Sequence, residues 1–318
     1  MIPWQNLGLP ESAKQFLSRQ PTVHELCYGG FLREIVQLDE DLIAIPLQPL
    51  GSDDQVEFLV RYARELLGAK FDVPSAFEAR LRGLISSPVV SLVCVPLQLD
   101  NPKDMEASVR QRLDLARHVL SCPAAQPFVP FALFVNAEGS EGFYRLTHPE
   151  HEGSRSRILS IMELETPELF AKVFAQASID ETYSFALSLL HDAMAETNAR
   201  FRIARLFNVL ECLASENKAE LTSRKAVRYL LGFPVEGNLE PWTIGGMEYR
   251  FDIIELAGRL RNKLFHGTPF TPEDLLLDVR PAFSLLHSHP LVLADTLTEY
   301  CRVALYGEVI HDRVSKAG

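Results

Sequence analysis

The sequence predicts an α+β protein, with a mixed α/β domain over residues 1–170 followed by an all-α helical bundle over 178–318. Three observations predict it. Through the first half, β-rich runs alternate with apolar residues at helical spacing. Strand signals stop after the helix-start signature Thr166-Pro167-Glu168. Beyond that point apolar residues recur only at helical spacing. A length of 318 residues accommodates two domains of ordinary size.

In the first half, residues 31–38 and 41–48 are β-rich runs split by the polar pair Asp39-Glu40, the pattern of a hairpin. Ser52-Asp53-Asp54-Gln55 forms a capping box, and Val56, Leu59, Val60, Ala63 and Leu67 then repeat at helical spacing up to Gly68. A second helix is expected over 75–84. Residues 88–99 (PVVSLVCVPLQL) make an almost continuous apolar strand, which implies burial on both faces. Asn101-Pro102 opens a helix carrying Met105, Val109, Leu113, Ala116 and Leu120, and strands are expected at 128–135, 142–147 and 157–164. The loop at 147–155 holds His148-Pro149-Glu150-His151, which is too small and local a cluster to be assigned as a metal site.

In the second half, Ser178-Ile179-Asp180-Glu181 reads as another capping box, leading a helix to about Glu196. Ile203, Leu206, Phe207, Leu210, Leu213 and Ala214 form the apolar stripe of the next helix. Thr222 caps a short helix to Leu231, which Gly232 and Pro234 stop. Gly237, Pro241, Gly245 and Gly246 mark a loop before a helix from about Arg250 to His266. Thr271-Pro272-Glu273-Asp274 starts another, His287-Ser288-His289-Pro290 reads as a helix end, and a last helix is expected from Leu291 to Tyr306.

The 47% apolar and 23% charged composition is that of a soluble globular chain. No apolar run approaches the roughly 20 residues that span a bilayer, so no membrane partner is expected. The opening Met1-Ile2-Pro3-Trp4-Gln5-Asn6 lacks the basic and apolar regions of a signal peptide, which makes the expected address cytoplasmic. Cys27, Cys94, Cys122, Cys212 and Cys301 are dispersed without a CxxC pair and read as reduced, mostly buried thiols.

A net charge of −11 argues against a protein that coats nucleic acid non-specifically, and confines any such site to a local basic cleft. Between 198 and 230 the balance does reverse. Arg200, Arg202, Arg205, Lys218, Arg224, Lys225 and Arg228 face Glu211, Glu216 and Glu220, either as a solvated helix face or as such a cleft. GxGxxG, P-loop, HExxH and nucleophile-elbow motifs are all absent from the sequence, and no cofactor is assigned.

The segment Arg261-Asn262-Lys263-Leu264-Phe265-His266 carries the clearest chemistry. At about 100° per residue, Ile253, Leu256, Ala257, Leu260 and Leu264 fall on one buried face. Asn262 and His266 share the opposite face, and Arg261 lies on the flank, with a stem long enough to swing toward that polar edge. Gly267 supplies the left-handed residue that ends a helix, and the helix C-terminus favours a protonated His266. A guanidinium can hold a phosphate oxygen and stabilise charge that builds in a transition state. An imidazole can move a proton to or from the attacking or leaving oxygen, so the pair suits metal-independent phosphodiester cleavage at a 2′-hydroxyl. Arg followed closely by His also occurs at Arg19 and His24, Arg112 and His118, Arg145 and His151, and Arg280 and His287. Only Arg261 has the adjacent Asn, the late bundle position and the glycine stop.

The stretch from Ala204 to Leu213 (ARLFNVLECL), followed by Leu260-Arg261-Asn262-Lys263-Leu264-Phe265-His266-Gly267, resembles an HEPN domain of the Apea-like branch over roughly residues 178–306. The resemblance implies a helical bundle that homodimerises, so that two such motifs face each other, and a metal-independent endoribonuclease. It also implies a setting in toxins, phage defence or RNA processing, with RNA as substrate and a regulatory or antitoxin protein as a further partner. Arg261 and His266 become the catalytic pair and Asn262 their polar support. Lys263, Arg259, Arg205 and Glu211 complete the substrate-binding set, Glu211 by orienting the pair from the preceding long helix. One subfamily is silenced by adenylylation of a Tyr two residues after the His, where this chain has Thr268. The other readings are a non-catalytic HEPN module for dimerisation or RNA binding, and a purely structural Arg261 and His266. The N-terminal domain, which has no recognised motif, is expected to sense a trigger or select substrate.

Overall fold

The structure is a computed structural model that describes residues 9, 11–19, 21–28, 32, 34–47, 57–62, 89–97, 101–124, 127–136, 143–146, 167–215 and 221–316. The expected capping box at Ser52, the helix at 75–84, the strand at 157–164 and the histidine pair at 148–151 lie outside the described residues. Helices and antiparallel sheet are both present, as an α+β class requires. The chain divides into two compact units, Met1–Ala175 and Gln176–Gly318. Among the described residues no helix is long and apolar enough to cross a membrane.

The first unit is built on a six-stranded sheet in the order β2-β3-β4-β1-β5-β6, with every neighbour antiparallel. The expected hairpin forms as β2 (Val36–Asp39) and β3 (Leu42–Pro46), and the Asp39 carboxylate accepts from the Asp41 amide at 2.7 Å across the turn. β4 (Val89–Cys94) is buried along its whole length, in keeping with its apolar run. Its Val89 and Val93 pack with Phe16 and Leu17 of α1 (Glu11–Leu17) and with Leu59 of a helical stretch at 57–62. From α2 (Pro102–Ala124), Arg112 ties Asp39 at 2.6 and 2.7 Å and donates to the Val95 carbonyl. β5 (Val129–Asn136) and β6 (Phe143–Leu146) form where strands are expected.

The central strand β1 (Thr22–Tyr28) is absent from the sequence-based expectation. Its apolar run is interrupted by His24 and Glu25, both buried here, and burial is tolerated because each is partnered. His24 bonds Thr22 at 2.9 Å and Tyr62 at 3.0 Å, and Tyr62 in turn bonds Ser91 at 2.9 Å. Burial lowers the His24 pKa to about 3, so the ring is neutral. Glu25 pairs with Arg117 of α2. All five cysteines are free thiols, four of them buried.

α3 (Pro167–Ile179) runs across the division between the units. The cap expected at Ser178 is supplied by Asp180 instead, whose carboxylate accepts from the Tyr183 amide at 2.9 Å, and α4 (Glu181–Ala195) follows it. α5 (Ala199–Leu213) is capped by Asn198 and buries the predicted Ile203, Leu206, Phe207 and Leu210. α6 (Ser223–Leu230) ends at Gly232, which has φ +72°.

The second unit is not all-α. The expected loop is a hairpin of β7 (Glu240–Ile244) and β8 (Met247–Phe251). Gly245 and Gly246, at φ +60° and +79°, supply the two positive-φ residues that a tight two-residue turn demands. Pro241 within the run is what hides the strand from a pattern reading. Because β8 occupies Arg250 and Phe251, α7 (Ile253–Phe265) starts three residues later than expected, after Asp252 as its N-cap. The helix expected at Pro272 is a single 3₁₀ turn, in which Asp274 accepts from the Thr271 amide. After a second 3₁₀ turn and the short α8 (Leu285–Ser288), α9 runs from Pro290 to Lys316, well past the expected end at Tyr306.

Candidate active site

The site is assembled on α7, whose Gly258 packs directly against side chains of α5 and α6. A Cβ on Gly258 would meet Arg224 Cγ at 2.8 Å and Phe207 Cζ at 2.9 Å, so any larger residue would have to push aside the Phe207 ring of α5 and the Arg224 stem of α6. Ile253, Leu256, Ala257 and Leu260 are buried, which holds the helix in register. Arg261, one turn beyond Gly258, is therefore within reach of α5.

The guanidinium of Arg261 does not swing freely toward the exposed edge. Its Nε donates to Asn208 Oδ1 at 2.7 Å, its Nη2 pairs with the Glu211 carboxylate, and its Nη1 donates to Asn262 Oδ1 at 2.8 Å. Glu211 is buried, while the Arg261 side chain retains 28% exposure. Partial burial lowers the Arg261 pKa from its ordinary value, and a guanidinium remains charged all the same. Arg261, Asn262 and Glu211 are thus brought together. Asn208 joins them as a residue that sequence reasoning missed. Its one signal was a polar side chain beside the buried stripe, three positions before Glu211.

His266 is the C-cap residue of α7. Gly267 (φ +65°) follows it, the Gly267 amide donates to the Leu264 carbonyl, and the Thr268 amide donates to the Lys263 carbonyl at 3.0 Å. These two bonds close the Schellman motif that the glycine stop implies. The imidazole is exposed and meets no hydrogen-bond partner among the described residues. No protein-family model, curated protein or solved structure matches this chain. The chemistry therefore rests on geometry alone. Five residues of helix separate Arg261 from His266 by about 7.5 Å along the axis and about 140° around it. One copy of the pair diverges; two copies placed face to face could converge.

The other predicted residues are engaged by protein groups. Arg259 Nε binds Glu255 at 2.5 Å, and its Nη1 donates to the Asp274 carbonyl at 2.9 Å. Lys263 binds the Asp274 carboxylate at 2.7 Å. Arg205 is 44% exposed on α5 and lies 3.4 Å from Glu196. Glu255 is the hub of a separate, buried network, with Arg224 at 2.9 Å and Arg228 at 3.1 Å, while Arg228 also binds Asp252 at 2.8 Å. Burial pushes the Glu255 carboxyl up, but the arginines around it outweigh that, and its pKa lies below the ordinary value. Among the described residues no group of three or more His, Cys, Asp or Glu is placed to hold a metal ion.

Proposed function

We propose that the protein is a metal-independent endoribonuclease of HEPN type, acting at a cleft between two copies of the C-terminal unit. The observation that carries this reading is a half-exposed Arg261, held on one edge by α5, on the same helix as an open His266. Arg261 neutralises the phosphate and the charge that develops on it. His266 transfers the proton as the 2′-hydroxyl attacks phosphorus and the 5′-oxygen leaves, so the products carry a 2′,3′-cyclic phosphate and a 5′-hydroxyl. The divergence of the pair within one copy is the reason for the dimer, in which Arg261 of one copy serves the same phosphate as His266 of the other. In this reading the N-terminal unit selects substrate or senses a trigger, and adds no catalytic group. The biological role would be that of a toxin or phage-defence effector.

The test uses the full chain and labelled RNA in excess EDTA, with end-group analysis. Cleavage leaving a cyclic phosphate, no cleavage of the matching DNA, and loss on His266→Ala are expected. Activity that vanishes in EDTA and returns with magnesium, or that survives His266→Ala, overturns the reading.

The Arg261–Glu211 ion pair also favours a second reading, a non-catalytic dimerisation or RNA-binding module in which Arg261 only ties α7 to α5. RNA binding without turnover by wild-type protein, together with a lowered melting temperature for Arg261→Ala, would select it.

A further inference from the structure

We infer that Asn208 is a positioning residue for Arg261, and that it sets which edge of the guanidinium is offered to an RNA phosphate; the inference rests on the ribonuclease reading above. An arginine carries five N–H donors and no acceptor, so the atom of Asn208 that faces it at 2.7 Å is the amide oxygen. Asn208 and Glu211 are three apart on α5, which puts their acceptors on one helix face. They take up the Nε–Nη2 edge of the fork, and Nη1 reaches Asn262. Among the described residues no other acceptor meets the second N–H of Nη1 or of Nη2. That pair can meet two oxygens of one phosphate.

Glu211 alone would not produce this orientation. A carboxylate accepts equally well from the Nε–Nη2 edge and from the Nη1–Nη2 end. If Glu211 took the end, the two donors that a phosphate needs would be lost to the protein's own carboxylate. The Asn208 bond to Nε excludes that arrangement, because Nε must then face α5. The role also suits a neutral acceptor, since a second carboxylate here would repel the substrate.

The test compares Asn208→Leu with Asn208→Asp in the full chain, reading kcat and KM on a short RNA, and melting temperature as a check on folding. Asn208→Leu, of similar size but without an acceptor, should lower kcat about 10- to 100-fold, the worth of one hydrogen bond to a charged group, with KM near wild type. Asn208→Asp keeps the acceptor and adds charge, so it should restore kcat and raise KM. Wild-type kcat for Asn208→Leu, or equal loss in both variants, overturns the inference. Independently of turnover, hydrogen exchange at the Arg261 Nε–H should accelerate in Asn208→Leu, and unchanged exchange also overturns it. Full activity in Arg261→Ala would instead remove the catalytic role of Arg261, which is a failure of the ribonuclease reading.

Discussion

The two ends of α7 each carry arginine–carboxylate pairing, and they differ in how completely the charges are satisfied. At the N-terminal end, Glu255 and Asp252 are met by Arg228, Arg224 and Arg259, and Arg228, Asp252 and Glu255 all have side chains no more than 7% exposed. At the C-terminal end, Arg261 is held from α5 along its Nε–Nη2 edge and by the exposed Asn262 at Nη1, yet its side chain keeps 28% exposure, on the helix that ends at the exposed His266. The same residue types on one helix thus make a closed tie in one place and an open donor set in the other. A buried, saturated network specifies packing, whereas a half-exposed cation with unspent donors is what an anionic ligand requires. The lesson is that an arginine's candidacy for chemistry rests on the donors it has left, and neither on its position in a motif nor on its having a partner.

The sharpest way to break this comparison is to alter the open end and look for an effect on activity alone. His266→Ala should lower RNA cleavage about 10²–10⁴-fold, with the thermal unfolding midpoint close to wild type, because the imidazole is exposed and bonds no described residue. A large fall in melting temperature would show that the open end is structural after all.

The closed end should behave in the opposite way. Arg228→Ala removes the one cation paired with the buried Asp252 among the described residues, and should cost about 3–5 kcal/mol in denaturant unfolding. A loss below about 1 kcal/mol would place this network with ordinary surface pairs. Between the two ends, Gly258→Ala should cost about 1–3 kcal/mol, since the added methyl meets the buried Phe207 ring as well as the Arg224 stem. It should also impair cleavage, by moving α7 away from Asn208 and Glu211. Stability unchanged in Gly258→Ala would mean that the helices can separate freely at this crossing.

The smallest expected effect is on pH dependence. The arginines lower the Glu255 pKa in the folded state, so the unfolded chain binds this proton more readily. The stabilisation is therefore complete above the unfolded carboxyl's ordinary pKa and is lost as pH falls through the folded value. Glu255→Gln removes that titration. Its stability should be lower than wild type at neutral pH, and the gap between the two should narrow on acidification below about pH 4. A gap that stays constant down to acid unfolding would mean that Glu255 acts through packing rather than charge.

Much of this molecule is legible in the sequence alone, and the particular elements explain why. The stripe on α5, the extent of α4, the hairpin around Asp39-Glu40 and the glycine stop after His266 all depend on residues within a few positions of one another. Periodicity and capping are local properties, so local sequence determined them. The exposed Asn262 and His266 followed from the same helical arithmetic. β1 was hidden, because its His24 and Glu25 look like surface residues until Tyr62 and Arg117 arrive from elsewhere in the chain to satisfy them. The β7–β8 hairpin was hidden behind Pro241, and a loop was the better local reading. Above all, only the tertiary structure decided what Arg261 is bound to. Asn208 lies 53 positions away, and no spacing rule reaches that far. A hydrogen bond forms when two groups come within about 3 Å of each other, and for residues on different helices that distance is set by how the helices pack, here with Gly258 against the Phe207 ring.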